Sequence, residues 1–444
     1  MSVRSAAAGA ALAAAMACGA AQAQNQAVIR DPDYDALFQR VLREPGNLDL
    51  SFRFAETATR LGDYEAAIGA LERMVFYNPN LPRVRLELGV LYFRLGSYEM
   101  ARSYFESAIA APDTPADVRV RVSGFLAEID RRVSVTQWSF FGQAGLRHQS
   151  NANAGPTSQL VRAAGVDATL DRQFVRAPDW NAFGLGGIRH VYDFENQRGD
   201  VWETTVGAYY AKQFKFEKLN LGLIEVQTGP RLALLPDSWP GFSIRPYALA
   251  NGVSLGDDPY LTTTGAGVGV TMPISPYFNL EPFLEVRARK FGNNKDYPNA
   301  AEQSGRLWTA GLLAQGDLFW GSAVRWQARA AFARNDTRRD YTSYEAVGID
   351  VGFPMEFQGP WGARKWTVIP SAGYGRTYYD AQNFIIDPIT KRVDREWRAG
   401  VLVDMPVYEW VGFAAQVQYA YVDSTLRNYD TRNLSVVFGP TVRF

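Results

Sequence analysis

From Val135 to the last residue, Phe444, the chain is written with a period of two. Its final segment, NLSVVFGPTVRF, puts Leu434, Val436, Phe438, Pro440, Val442 and Phe444 on one side of an extended backbone, with Ser435, Val437, Gly439, Thr441 and Arg443 on the other. The same alternation recurs most clearly at 138–148, 183–194, 202–214, 262–272, 280–291, 323–335, 345–353, 366–377, 397–405 and 413–422. These segments exceed the five or six residues usual for a sandwich strand. Their spacing predicts about fourteen strands, an even number, as in an antiparallel β-barrel through an outer membrane.

One side of these strands is apolar and the other mixed. In NLEPFLEVRARKF, Leu280, Pro282, Leu284, Val286 and Ala288 oppose Glu281, Phe283, Glu285, Arg287 and Arg289. Likewise Arg325, Gln327 and Arg329 alternate with Trp326, Ala328 and Ala330. The mixed side is expected to line a lumen, with Glu281, Glu285, Arg287, Arg289, Arg325, Arg329, Asp350, Arg398 and Asp404 as candidate lumen residues. Gly265, Gly267 and Gly269 in GAGVGV belong to the same side, for close packing or for a wider lumen.

Connection lengths orient the barrel. Turn-like links at 195–200, 236–241, 273–277, 318–322, 357–365 and 407–412 alternate with links that are mostly longer, notably 149–179, 292–304 and 378–394. Short periplasmic turns and long outer loops are the expected asymmetry, which leaves both barrel termini and the preceding residues in the periplasm. A terminal aromatic on the last strand resembles the signal by which such barrels are handed to the barrel assembly machinery. Phe438, Val442 and Phe444 are the candidate residues for it.

The residues before 134 read differently. Residues 1–23 have Arg4, an Ala-rich apolar run and Ala21-Gln22-Ala23, the pattern of a cleaved export signal. The single cysteine, Cys18, falls inside it, so the mature chain is expected to form no disulfide. The context of Cys18 loosely resembles a lipoprotein processing site but lacks the usual Leu. Residues 24–134 repeat: RLGDYEAAIGALERMVFYNP (60–79) aligns with RLGSYEMARSYFESAIAAPD (94–113) at an offset of 34, and Phe54, Leu88 and Val122 keep the same spacing. That period, with Leu-Gly-x-Tyr and a small residue nine positions after Tyr92, resembles the tetratricopeptide repeat. Helices are expected at 33–44, 47–60, 64–77, 81–94, 98–110 and 115–132, stacked as three pairs in a small α-solenoid. Tyr92, Phe93 and Arg94 are candidates for a client-binding face or for the core between helices.

Charge excludes some classes. The 46 basic and 46 acidic residues balance, which gives no argument for nucleic acid. After the leader no apolar run is long enough for a transmembrane helix, while aromatics reach 13%. The two histidines, His148 and His190, form no recognisable catalytic spacing, and RHQSNAN reads better as loop anchoring than as an esterase site. GAGVGV is strand rather than strand-turn-helix, so it is no nucleotide loop. DPDYD at 31–35 lacks the Gly and Glu of a calcium loop and reads as a helix start. No enzyme, cofactor or metal is expected.

An export signal, a short tetratricopeptide module, about fourteen strands and HQSNANAGP (148–156) after the first strand together resemble the surface lipoprotein assembly modulator family of Gram-negative bacteria. The resemblance implies an outer-membrane protein in contact with lipid that moves a lipoprotein, or a small secreted protein, to the cell surface, without catalysis. A polysaccharide-export porin is the alternative, though it normally has a longer repeat array and a lumen biased in charge. A general diffusion porin is the third reading; it would not need residues 33–132.

Overall fold

The computed structural model describes residues 32–110, 114–318, 324–360 and 364–444. The expected export signal and Cys18 lie outside the described residues, as do parts of the turns at 318–322 and 357–365. The chain forms two compact units that meet in sequence near Val135.

The first unit is helical: α1 (Pro32–Arg43), α2 (Leu48–Leu61), α3 (Tyr64–Tyr77), α4 (Pro82–Arg94), α5 (Tyr98–Ile109) and α6 (Ala116–Val133). Local chemistry sets these limits. The Asn47 side chain accepts the Leu50 N–H at the start of α2, and Asp63 accepts that of Ala66 at the start of α3. Between them Gly62 ends α2 in the left-handed conformation, and Pro82 opens α4. The 34-residue spacing is that of the core, since Phe54, Leu88 and Val122 are all buried, as are Ala67 and Ala101. The tight antiparallel pairs are α2 with α3 and α4 with α5, so the three expected pairs resolve into two complete repeats flanked by α1 and α6. Gly89 shows why: a Cβ there would stand 2.4 Å from the ring of Phe105, which α5 drives into the face of α4.

The second unit is a closed antiparallel barrel. Its strands are β1 (Thr136–Gln149), β4 (Asp179–Asp193), β5 (Val201–Gln213), β6 (Leu221–Ala233), β7 (Ser243–Leu255), β8 (Asp258–Ser275) and β9 (Phe278–Phe291). Then come β10 (Gly305–Asp317), β11 (Arg325–Thr337), β12 (Tyr344–Gly352), β13 (Met355–Gln358), β14 (Lys365–Tyr379), β15 (Val393–Pro406), β16 (Val411–Ser424) and β17 (Thr431–Arg443). A small separate hairpin, β2 (Leu160–Ala163) with β3 (Val166–Thr169), sits inside the first connection. The ring closes twice, by β1 on β17 and by β12 on β14. Pro354 interrupts β12, and β13 resumes the same place beside β14, so fourteen positions make the ring.

Register fixes the faces. Ile188, Ile224, Leu284, Ile349, Val401 and Val417 all fall on the outward side and stand exposed, as a membrane-facing band requires. Trp138, Tyr192 and Trp202 mark one end of that band, and Trp180, Tyr210 and Trp308 the other. The connection asymmetry rests on 150–178, 292–304 and 380–392. The four other links at that end are short, and β7 turns into β8 on Gly256 and Asp257 alone, both at positive φ.

At the closing seam Phe140 and Phe444 exchange two backbone hydrogen bonds of 3.1 and 3.0 Å. Gly145 and Gly439 fall opposite each other, where a Cβ on either would stand 2.1 or 1.9 Å from a carbonyl oxygen of the facing strand. The Phe444 ring is 73% exposed on the outward side, stacked on Trp410 and tilted against Phe140. An acidic residue at this interfacial depth costs about 1 kcal/mol or less in a finished barrel. Phe444→Asp is therefore expected to lower the yield of heat-modifiable folded barrel on gels far more than it lowers its melting temperature. Arg443→Gln leaves the outward face intact and should assemble normally; equal yields for the two variants would remove the assembly role of Phe444.

Candidate functional site

All nine lumen candidates fall on the face opposite the exposed apolar side chains. Arg287 falls opposite Gly265 and Leu307, Arg329 opposite Leu313 and Asp350, and Asp350 opposite Gly373, which in turn faces Arg398. Few of them stand alone. Arg398 pairs with Asp350 at 2.8 Å and with Glu396 at 3.0 Å, and Asp404 accepts from Arg443 at 2.8 Å. Arg287 bridges its own-strand neighbour Glu285 and, at 2.8 Å, Glu225 of β6. Arg289 lies over the Phe291 ring and reaches Asn335. Arg325 pairs with Glu356 at an exposed end of the wall. Arg329 sits over the Phe283 ring, and neither it nor Glu281 makes an ion pair among the described residues.

The strongest cluster was not among the sequence candidates. Glu203 of β5, its side chain only 4% exposed, is held by Arg189 at 2.9 Å, Arg231 at 2.8 Å and Arg245 at 3.3 Å, from β4, β6 and β7. Nearby, Glu225 also accepts from Asn251, and the Tyr247 hydroxyl donates to Glu285 at 3.0 Å. The Tyr247 ring fills the space that the missing side chain of Gly267 leaves, while Gly269 faces open space. All these residues have inward parity, and that parity was the signal available for finding them. The result is a wall on which carboxylates and guanidinium groups interleave and largely neutralise each other.

Toward the end with the long connections the inward side chains become buried. Asn181 spans Gln149 and Gln213 at 3.4 and 3.3 Å, and Thr377, Asp394 and Ser435 are likewise covered. The SNANAGP stretch is the anchor of the first connection. Ser150 exchanges bonds with Leu434, Asn151 takes both polar groups of Gly155, and Asn153 holds Val175 and Ala177 at the far end of the same connection. His148 and His190 point outward against Trp180 and Trp138 at opposite ends of β1 and β4, so the barrel does not bring them together.

In the helical unit, Tyr92 stacks on Tyr104 with ring centroids 5.4 Å apart, and both hydroxyls donate to Glu72, at 2.8 and 3.0 Å. Phe93 packs edge-on against Tyr98 and Phe125 and is covered by the Arg132 guanidinium at 4.7 Å. Tyr92 and Phe93 thus serve the packing between helices, and Arg94, over Tyr64, is the exposed member of the three.

The sequence profile of the surface lipoprotein assembly modifier family matches residues 187–441, more than half of the 444-residue chain. The chain belongs to that family. A tetratricopeptide repeat profile matches residues 82–113, which are α4, α5 and the residues after them. No curated protein matches the chain. Among solved structures, the type III secretion chaperone SycD of Yersinia enterocolitica, in complex with a peptide of the translocator YopD, is 15% identical. The match covers 23% of this chain and 79% of that one, with a TM-score of 0.21. A bacterial polysaccharide outer membrane secretin is 10% identical over 69% of this chain and 98% of its own, at a TM-score of 0.34. An anion-selective porin from Comamonas acidovorans is 8% identical over 70% and 100%, also at 0.34.

For this family member the shared carboxylate of Glu72 has a testable consequence. Burial first, and then the bond to Glu72, push the Tyr92 and Tyr104 phenols up from 10.0 to about 12. A raised pKa means that their stabilisation is complete below pH 10 and fades as pH rises through about 12. Helical ellipticity of the whole protein in detergent should fall through that window. Replacing both residues, Tyr92→Phe with Tyr104→Phe, should lower stability at neutral pH and flatten the alkaline loss; an unchanged alkaline profile would detach the two phenols from the module's stability.

Proposed function

We propose that this outer-membrane barrel carries a lipoprotein, or a small secreted protein, from the periplasm to the cell surface, and that residues 24–134 lie in the periplasm and receive that client. The observation that carries the reading is the self-neutralised lumen wall of a surface lipoprotein assembly modifier. A polypeptide presents both charge signs and apolar side chains in turn, and a wall on which both signs are largely paired suits such a mixture. A polymer of uniform charge would be served better by a wall of the opposite sign. The helical unit supports a receiving role because its core is complete within itself, and repeat stacks of this kind offer the remaining surface to partners. The last strand, with Phe438, Val442 and Phe444 on its lipid side, is proposed as the region read by the barrel assembly machinery.

Deleting residues 33–132 is expected to leave a folded barrel in the outer membrane while a co-expressed, tagged lipoprotein client stays in the periplasm, protected from protease added to whole cells. Equal surface arrival with and without the full-length protein would overturn the translocation reading; intact polysaccharide export that fails on deletion would move the assignment to an exporter. Epitope tags in 292–304 and 380–392 should label on unpermeabilised cells. A tag in the helical unit that labels on intact cells would reverse the orientation.

A further inference from the structure

We infer that the β2–β3 hairpin is a strap latched over the long-connection end of the barrel, and that the lumen opens at that end when the latch between Arg162 and Asp387 lets go. The inference rests on the translocation reading for what passes, but its geometry stands on the barrel alone.

The hairpin grows from the connection after β1. Around the ring, the strands beyond β1 on that side are β17, β16, β15 and β14 in turn. The hairpin bonds to the links that join β16 to β17 and β14 to β15. At its root, the Thr157 N–H donates to the Asp430 carbonyl at 2.8 Å, in the link between β16 and β17. Midway, the Asn428 side-chain amide pairs with the Arg162 backbone, accepting its N–H and donating to its carbonyl, both at 2.9 Å. At its tip, Ala164 and Gly165 take up positive φ and donate to the carbonyls of Ile385 and Ile386 at 2.9 and 3.0 Å, in the link between β14 and β15. The Arg162 guanidinium then closes on Asp387 at 3.1 Å.

Asp387 is built to receive it. Its side chain is buried, and its other oxygen accepts the N–H groups of Ile389 and Thr390. Val161 of the hairpin and Leu426 of the link below are also buried. Inward side chains are buried all around this end, on β4, β5, β8 and β11 as well as on β1, β14, β15 and β17, so the strap is marked by its own bonds rather than by that burial. Root and tip differ in kind. The root is knotted by Ser150, Asn151 and Asn153 within its own connection and to β17, whereas the tip holds on by one ion pair and a few hydrogen bonds that water can replace at modest net cost. Such a segment swings about its root when the tip is released.

The test uses the full-length protein with Ala164→Cys and Ile385→Cys. The natural chain has one cysteine, Cys18, within the expected export signal, so the pair is the intended disulfide in the mature protein. Asp387→Asn serves as the unlatched variant, and heat-modifiability on gels confirms that each barrel has folded. Current across planar bilayers is recorded without any client. Asp387→Asn should open more often than the natural protein, and the oxidised cysteine pair less often than the same protein after dithiothreitol. Identical currents in all four would show a permanent rim and overturn the strap. Surface arrival of a tagged client is then scored in cells. Currents that follow the latch while the client arrives regardless would sink translocation and keep the strap; client arrival that needs the protein, with currents indifferent to the latch, would do the reverse.

Discussion

A backbone N–H or C=O left unpaired in hydrocarbon costs several kcal/mol, and a membrane-spanning sheet has two edges full of them. Every other property of the barrel unit depends on removing those edges. Here the chain does so by bringing its last strand to its first, β17 to β1, and by carrying β14 past the break at Pro354 to reach β12. Once the ring is closed, alternation becomes inside and outside. Outward positions are free to be apolar, and inward positions hold charge that a lone sheet would have shown to solvent or lipid on one open face.

The lumen follows from that closure. A curved wall lets arginines from β4, β6 and β7 converge on Glu203, and lets Arg287 of β9 reach Glu225 across two intervening strands. Charge pairs in such a setting fix side chains in place more than they add net stability, because desolvation offsets much of their attraction. The helical unit solves a different problem, since water surrounds it and its core is assembled from shape. Gly89 against Phe105, and Ala67 and Ala101 at equivalent places, let helices come close enough for aromatic rings to fill the gaps.

Alternation in the sequence was enough to place Glu281, Arg287, Arg329, Asp350 and Arg398 on one face, because parity is a property of each strand by itself. It could not say that Arg287 would find Glu225, since partners are decided by curvature and by the stagger between strands that are far apart in the chain. Helix limits were legible to within a residue or so because Asn47, Asp63 and Gly62 act locally. The β2–β3 hairpin was not legible. Its strands are four residues each, and the amide that pairs with Arg162 belongs to Asn428, 266 positions later. Tyr92 and Phe93 illustrate the same limit in the helical unit: an aromatic on a repeat helix serves the groove or the packing according to what the next helix presents, and here Tyr104, Phe125 and Arg132 claim them.

The knot at Ser150 and Asn151 joins residues just after the first strand to Asn433 and Leu434 in the last. These partners are separated by almost the whole barrel, so the knot cannot be tied until the final dozen or so residues have docked. A nascent or truncated barrel therefore lacks the bonds that tie its first connection to the last strand. Closing the cylinder and tying its first connection to its last strand are one event.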